Sequence, residues 1–184
     1  MRHTTPELSL IVPCFQEAHR MKSCVQGIRR ALGAWNRSAE VLLVDDGSTD
    51  GTAACARNAL ESMTSARVIE RQHAGKGAAL RAGVGASKGA QVFFADADWS
   101  MPPEQIVRFL PPVSSSSGLR IGSRELPSSQ RFDEPLYRHL VGRVFNHLVR
   151  SALTPGIQDT QCGFKAMEGN AARRIFETVS YTHL

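Results

Sequence analysis

"EVLLVDDGSTDGT", residues 40–52, decides the fold. An apolar run ends in two adjacent aspartates, passes through a glycine turn rich in small polar residues, and opens a stretch of helical period. A short continuous apolar run bounded by turn signals reads as a strand buried on both faces, and a strand–turn–helix order is the repeating unit of a parallel sheet. The same reading extends outward to "LSLIVPCF" (8–15), "ARVIERQ" (66–72), "AQVFFADAD" (90–98) and "LRIGS" (119–123). Helical periodicity fills 17–34, 50–63 and 76–87 between the first four strands. The order β-α-β-α-β-α-β with right-handed crossovers predicts a three-layer α/β/α domain around a mainly parallel central sheet, doubly wound and spanning residues 1–184 as one domain.

Bulk properties agree with that reading. A chain of 184 residues buries about 70% of its unfolded surface and needs no disulfide staples. Hydrophobic content of 42% with 21% charged residues is ordinary for a globular protein and excludes disordered and fibrous classes. The net charge of +5 comes from 18 Arg and 4 Lys, and the planar guanidinium fork suits phosphorylated ligands. No basic run interleaved with aromatics appears, so no nucleic acid partner is expected. Cys14, Cys24, Cys55 and Cys162 lack the paired short spacing of a zinc site and read as reduced, intracellular thiols. The apolar run before Pro13 is too short for a signal peptide, and nowhere do 18 apolar residues follow one another.

In doubly wound sheets ligands sit at the carboxyl ends of strands. Here those ends are polar: Gln16 and Glu17 after the first, Asp45 and Asp46 after the second, Asp96 and Asp98 after the fourth, Ser123 and Arg124 after the fifth. Asp96 and Asp98, two apart, can point into one crevice, where hard oxygen donors suit Mg²⁺ or Mn²⁺ bridging a diphosphate. The competing reading has them cap a helix beginning near Pro102 or Pro103. Ser48 or Asp50 is a candidate N-cap for the helix that follows. Asp45 and Asp46 are placed to accept from a base imide N–H or from ribose hydroxyls. "HAGKGAAL" (73–80) is a glycine turn with Lys76 opening a helix, either a phosphate contact or a loop feeding an amphipathic helix. Loops 111–118 and 126–135 are rich in Ser and Pro, the second long enough to form a lid. A helix is predicted over 135–153, with His139, Arg143, His147 and Arg150 on one face, turned to an anionic membrane surface, an acceptor phosphate or solvent.

The ordered set "IVPCFQE", "VLLVDDGSTDGT", "GKGAALRAG", "FFADAD", "GSR" and "DTQCGFK" (159–165) resembles the inverting glycosyltransferases of family 2, with the GT-A fold. "DTQCGFKAM" resembles most the polyprenyl- or dolichyl-phosphate glucosyltransferase and mannosyltransferase branch. The resemblance implies hexose transfer from a nucleotide sugar, UDP-glucose above all, to a lipid phosphate, with Mg²⁺ or Mn²⁺ as cofactor. By it, Pro13, Glu17, Asp45 and Asp46 line the nucleotide pocket, Lys76 approaches the nucleotide or its phosphates, and Asp96 and Asp98 hold the metal diphosphate. Arg124, with Arg138 or Arg143, meets the acceptor phosphate, and Asp159 stands where the family has a candidate catalytic carboxylate. A cytoplasmic protein in peripheral contact with the inner face of a membrane is expected.

Three departures stand out. Gln16 replaces a common Asn, Ser100 stands where some mannosyl relatives have a metal-facing Gln, and "NAARRIFETVSYTHL" (170–184) follows no family pattern at its end, so a shortened chain or a foreign tail is expected. Two rival readings remain open at this point. A haloacid-dehalogenase-type phosphatase explains residues 92–98 but neither "VDDGSTDGT" nor "DTQCGFK". A nucleotide-sugar-binding fragment would bind without transferring.

Overall fold

The computed structural model describes residues 5–111, 118–122 and 162–178. The chain divides into two compact units, Met1–Arg120 with Phe164–Leu184, and Ile121–Gly163. The first contains nearly all the described structure.

Its strands are β1 (Leu8–Cys14), β2 (Ala39–Asp45), β3 (Ala66–Glu70), β4 (Gln91–Phe94), β5 (Leu119–Ile121) and β6 (Lys165–Glu168). Its helices are α1 (Met21–Trp35), α2 (Thr52–Leu60), α3 (Lys76–Ala86) and α4 (Gly169–Thr178), with 3₁₀ turns at Ala18–Arg20 and Pro103–Phe109. The sheet order is β3-β2-β1-β4-β6-β5. β1 runs parallel to both β2 and β4, β2 runs parallel to β3, and β6 is antiparallel to β4. The chain steps outward from β1 through β2 to β3, then crosses back to lay β4 on the other side of β1. The reversal between β1 and β4 is a topological switch point, where an open α/β sheet leaves a crevice at its carboxyl edge.

Both faces of the sheet are covered, as the unbroken apolar runs demand. Ile11, Leu42, Val44, Val92 and Phe94 form one face, packed with Ala79 and Val84 of α3, Met167 of β6 and Ala172 of α4. The alternate residues Leu10, Val12, Leu43 and Phe93 are equally buried. Phe93 meets Phe109 and Phe164 edge to face, with ring centroids 5.6 and 5.1 Å apart. α1 buries Met21, Cys24, Val25, Ile28, Ala31 and Trp35 on one stripe and packs against α2 and the 103–109 turn. Among the described residues no helix is long and apolar enough to cross a membrane.

The expected elements are present with shifted ends. α1 begins at Met21 rather than 17, because Arg20 N–H donates to Glu17 carbonyl and closes a tighter turn first. β4 stops at Phe94 rather than 98, which leaves both D-x-D carboxylates on a turn and not in the ladder. The antiparallel strand β6 and the helix α4 behind it were not anticipated from sequence. The predicted helix 135–153 lies outside the described residues.

Candidate functional site

The loop after β1 is clasped by the loop after β2. Gln16 takes a left-handed backbone, φ 56°, and three successive amides are claimed by side chains of "GSTDGT". Gln16 N–H donates to Ser48 Oγ at 2.9 Å, Glu17 N–H to Thr52 Oγ1 at 2.8 Å, and Ala18 N–H to Asp50 Oδ2 at 3.0 Å. The Gln16 amide returns the contact: its Oε1 accepts from Thr49 and Asp50 N–H, and its Nε2 donates to Thr49 Oγ1 at 3.0 Å. The glutamine thus reaches backbone donors across the gap. α2 is capped by Gly51, not by Ser48 or Asp50. Asp50 instead accepts from Thr52 N–H at 3.0 Å from one residue further out. The Thr52 hydroxyl foremost, then the Ala18 and Thr52 amides, hold its carboxyl below the ordinary aspartate value.

The aspartate doublet splits. Asp45 is buried, accepts from the Ser48 hydroxyl and from Ser48 N–H at 3.3 Å, and does not face the cavity. Its carboxylate holds the turn together through Ser48. Asp46, also buried, does line the cavity. It accepts from Arg71 Nη1, from Gly75 N–H at 2.7 Å and from Ala74 N–H at 3.3 Å, and His73 Nδ1 lies 2.9 Å from its Oδ2. A carboxylate with this many donors is compensated for its burial. The loops meet so closely that a Cβ on Gly47, which has φ +76°, would lie 2.7 Å from His73 N. His73 stacks on Phe15 with centroids 4.3 Å apart and planes 24° from parallel, and Phe15 is 43% exposed at the rim.

Between these walls lies a cavity of about 370 Å³ at the switch point. Pro13, Cys14, Glu17, Asp46, Lys76, Asp96 and Asp98 all line it. Lys76 opens α3 and places its Nζ 2.6 Å from Asp96 Oδ1. Asp98 is exposed and its Oδ1 accepts from Ser100 N–H at 3.1 Å. It does not cap the 103–109 turn, which begins at Pro102 without a side-chain cap. Glu17 Oε2 is buried with no hydrogen-bond donor, although Arg20 Nε stands 3.4 Å away. Ion-paired but without a hydrogen bond, that oxygen on the cavity lining keeps the capacity to accept from a ligand O–H or N–H. Burial, and then the Asp45 charge, push the Cys14 thiol far up, so it stays protonated.

Among the described residues no group of three or more His, Cys, Asp or Glu side chains could hold a metal ion. Asp96 and Asp98 supply two hard carboxylates at an open rim. That set fits Mg²⁺ or Mn²⁺, which keeps waters and takes further oxygens from a bound phosphate, and does not fit a metal needing a closed protein cage.

Of the residues singled out from sequence, Pro13, Glu17, Asp46, Lys76, Asp96 and Asp98 meet around one cavity, and Asp45 does not. Arg124, Arg138, Arg143 and Asp159 lie outside the described residues. Sequence reasoning missed Phe15, Arg71 and His73. Their signal was slight: an aromatic just past a strand end, and a cation and an imidazole just ahead of a glycine turn.

The family model for glycosyl transferase family 2 matches residues 9–176. A dolichyl-phosphate beta-glucosyltransferase of Drosophila melanogaster is 32% identical over 190 residues, covering 94% of this chain and 58% of the relative. A polyprenol monophosphomannose synthase of Mycolicibacterium smegmatis is 32% identical over 176 residues, covering 93% and 65%. This chain therefore spans about 58% of the length of the first of these relatives. Among solved structures, a mannosyltransferase from Pyrobaculum calidifontis in complex with GDP-Man and Mn²⁺ superposes with a TM-score of 0.62 at 22% identity, over 94% of this chain and 47% of the other. Glucosyl-3-phosphoglycerate synthase from Mycobacterium tuberculosis, in complex with UDP, gives 0.61 at 24%, over 90% and 57%. These likenesses establish the GT-A fold. With a sheet reversal that opens the crevice, carboxylates gathered on its rim and a family match over nearly the whole length, the chain belongs to glycosyl transferase family 2.

Proposed function

We propose that this chain carries the nucleotide-sugar site of a hexosyltransferase that passes a hexose from a nucleotide sugar, UDP-glucose, to a polyprenyl or dolichyl phosphate with inversion. The observation that carries the reading is the company around one cavity: the carboxylate acceptors Asp46 and Glu17 together with Lys76, Asp96 and Asp98. Acceptors of that kind suit the N–H and O–H edges of a nucleoside. Lys76 suits its phosphates. The family match sets aside the phosphatase reading of the D-x-D pair.

Asp46, held by Arg71 and the 74–75 amides, presents a fixed acceptor to the base or ribose, and the Glu17 oxygen that lacks a hydrogen bond offers a second. Lys76, paired with Asp96 in the absence of ligand, would turn to the diphosphate, and Asp96 and Asp98 would hold a divalent cation beside it. When bound, that cation offsets the negative charge developing on the leaving nucleotide. Arg124, with Arg138 or Arg143, meets the acceptor phosphate, and Asp159 positions the acceptor, as the family resemblance implies. A phosphate monoester has a second pKa near about 6, so at neutral pH the acceptor is already mostly dianionic and asks little of a base. Attack from the side opposite the diphosphate inverts the anomeric carbon and forms no covalent sugar intermediate. The protein works in peripheral contact with the cytoplasmic face of a membrane.

Calorimetric titration of UDP, GDP and UDP-glucose with and without Mn²⁺, followed by a transfer assay to a polyprenyl phosphate, tests this. UDP binding that strengthens with Mn²⁺ is expected. Tighter binding of GDP reverses the donor, and binding without transfer assigns the chain to nucleotide-sugar capture alone.

A further inference from the structure

Trp99 directly follows the D-x-D pair and has φ 49°. A bulky residue keeps that left-handed backbone only where its surroundings over-determine it. Here the indole Nε1–H donates to the Cys24 carbonyl of α1 at 2.9 Å. The ring lies against Gly27 on the same face of α1, where an added Cβ would overlap the indole. It also meets Phe164 edge to face at 5.8 Å, and Phe164 is itself packed on Phe93 of β4. At the backbone, Trp99 N–H donates to the Asp96 carbonyl at 3.1 Å. The turn bearing Asp96 and Asp98 is therefore tied to β4 at one end and wedged into α1 at the other.

We propose that Trp99 is a positioning residue for Asp96 and Asp98, the indole clamp setting the direction in which the two carboxylates meet a divalent cation and its diphosphate. The proposal rests on the nucleotide-diphosphate reading above. A cation that demands near-octahedral oxygens gains little from carboxylates on a wandering turn, because ordering the turn then counts against binding. Glu17 and Asp46 sit on loops after β1 and β2 that are held by Thr52, Arg71 and the Gly75 amide, none of which touches the indole through a hydrogen bond. Only the metal-dependent part of binding should therefore respond to the clamp.

The test measures Mn²⁺ affinity by electron paramagnetic resonance at saturating UDP, alongside titration of UDP without metal. Trp99→Leu is expected to weaken Mn²⁺ binding by about 10–100-fold, the usual effect of removing a group that orients metal ligands, with metal-free UDP affinity unchanged. Trp99→Phe, which keeps a ring against Gly27 and Phe164 but loses the N–H, should fall between. Gly27→Ala reaches the same clamp from the other side: it expels the indole while adding a good helix former, and should reproduce the loss in a folded protein. In the Trp99→Leu background, Gly27→Ala should add nothing, since the two changes break one contact. Unchanged Mn²⁺ affinity in folded Trp99→Leu or Gly27→Ala would overturn the proposal, as would additive losses in the double variant or an equal loss of metal-free UDP binding. If the unaltered protein binds no UDP with Mn²⁺, the nucleotide reading itself fails and takes this one with it.

Discussion

Lys76→Gln should make the protein bind Mn²⁺ more tightly in the absence of nucleotide and bind UDP more weakly. Without ligand the Lys76 ammonium sits 2.6 Å from Asp96 Oδ1, so a cation arriving alone must displace it. In a medium as polar as water, two unit charges at that distance attract by roughly 1.6 kcal/mol. The Lys76 side chain is 58% exposed and Asp96 29%, so most of that is returned in side-chain entropy and screening. Exposed pairs retain about 0.2–1 kcal/mol, which predicts roughly 1.4- to 5-fold tighter Mn²⁺ binding once the amine is gone. The gain should shrink near 1 M salt, where the Debye length is about 3 Å. UDP should lose about tenfold or more, the worth of one charge-assisted contact to phosphate. Electron paramagnetic resonance reads free Mn²⁺ directly, and calorimetry reads UDP. Mn²⁺ binding that weakens in Lys76→Gln would refute the competition, because it would make Lys76 a support of the metal site and not its occupant.

Asp46→Ala should lower stability by about 3 kcal/mol in chemical denaturation, the lower end for breaking a buried charge pair since Arg71 and His73 are partly exposed, and should abolish UDP binding. For thiols, Cys14, Cys24 and Cys162 are buried and Cys55 is exposed; burial pushes Cys24 up to about 12, so a disulfide reagent should label one thiol rapidly in the native chain and all four after unfolding. Asp50→Asn should destabilise the protein at neutral pH and progressively less under acid. The folded carboxyl titrates below its ordinary value of 3.8, so its contribution is full above that pH and is lost as pH falls through the lower folded value. A difference between the two proteins that grows on acidification would show that Asp50 is not the group held in its charged form.

The central parallel strands β1, β2 and β4 were legible because each is an apolar run buried on both faces, and the edge strand β3, only partly buried, was legible from its place between two helical stretches. β6 was not legible. Two of its four residues, Lys165 and Glu168, are charged, and its partner β4 lies some seventy positions earlier, so neither local pattern nor a short connection betrays it. Its pairing is a tertiary fact: Met167 and Ala166 complete faces that β4 leaves open. The clasp between Gln16 and residues 48–52 was equally hidden. Small polar residues in a turn look alike in sequence whether they serve a ligand or the neighbouring loop, and here three of their side chains satisfy successive amides of the loop after β1.

The carboxylates show where such reading succeeds and why. Side chains alternate across a strand with a period of two, so neighbours face opposite ways and residues two apart share a direction. Asp45, the last residue of β2, turns to Ser48, and Asp46, just past the strand, meets Arg71, the 74–75 amides and the cavity. The two adjacent carboxylates thus take different partners, and of the two Asp46 lines the cavity. Asp96 and Asp98 are spaced by two and do reach the same cavity. Just beyond β4, however, the chain is no longer extended, so their shared direction comes from the turn that Trp99 closes. In the doublet, the split falls at the end of β2, between its last residue and the next; in the D-x-D pair, the assignment depends on an aromatic side chain and a glycine seventy-two positions apart, which no local pattern connects.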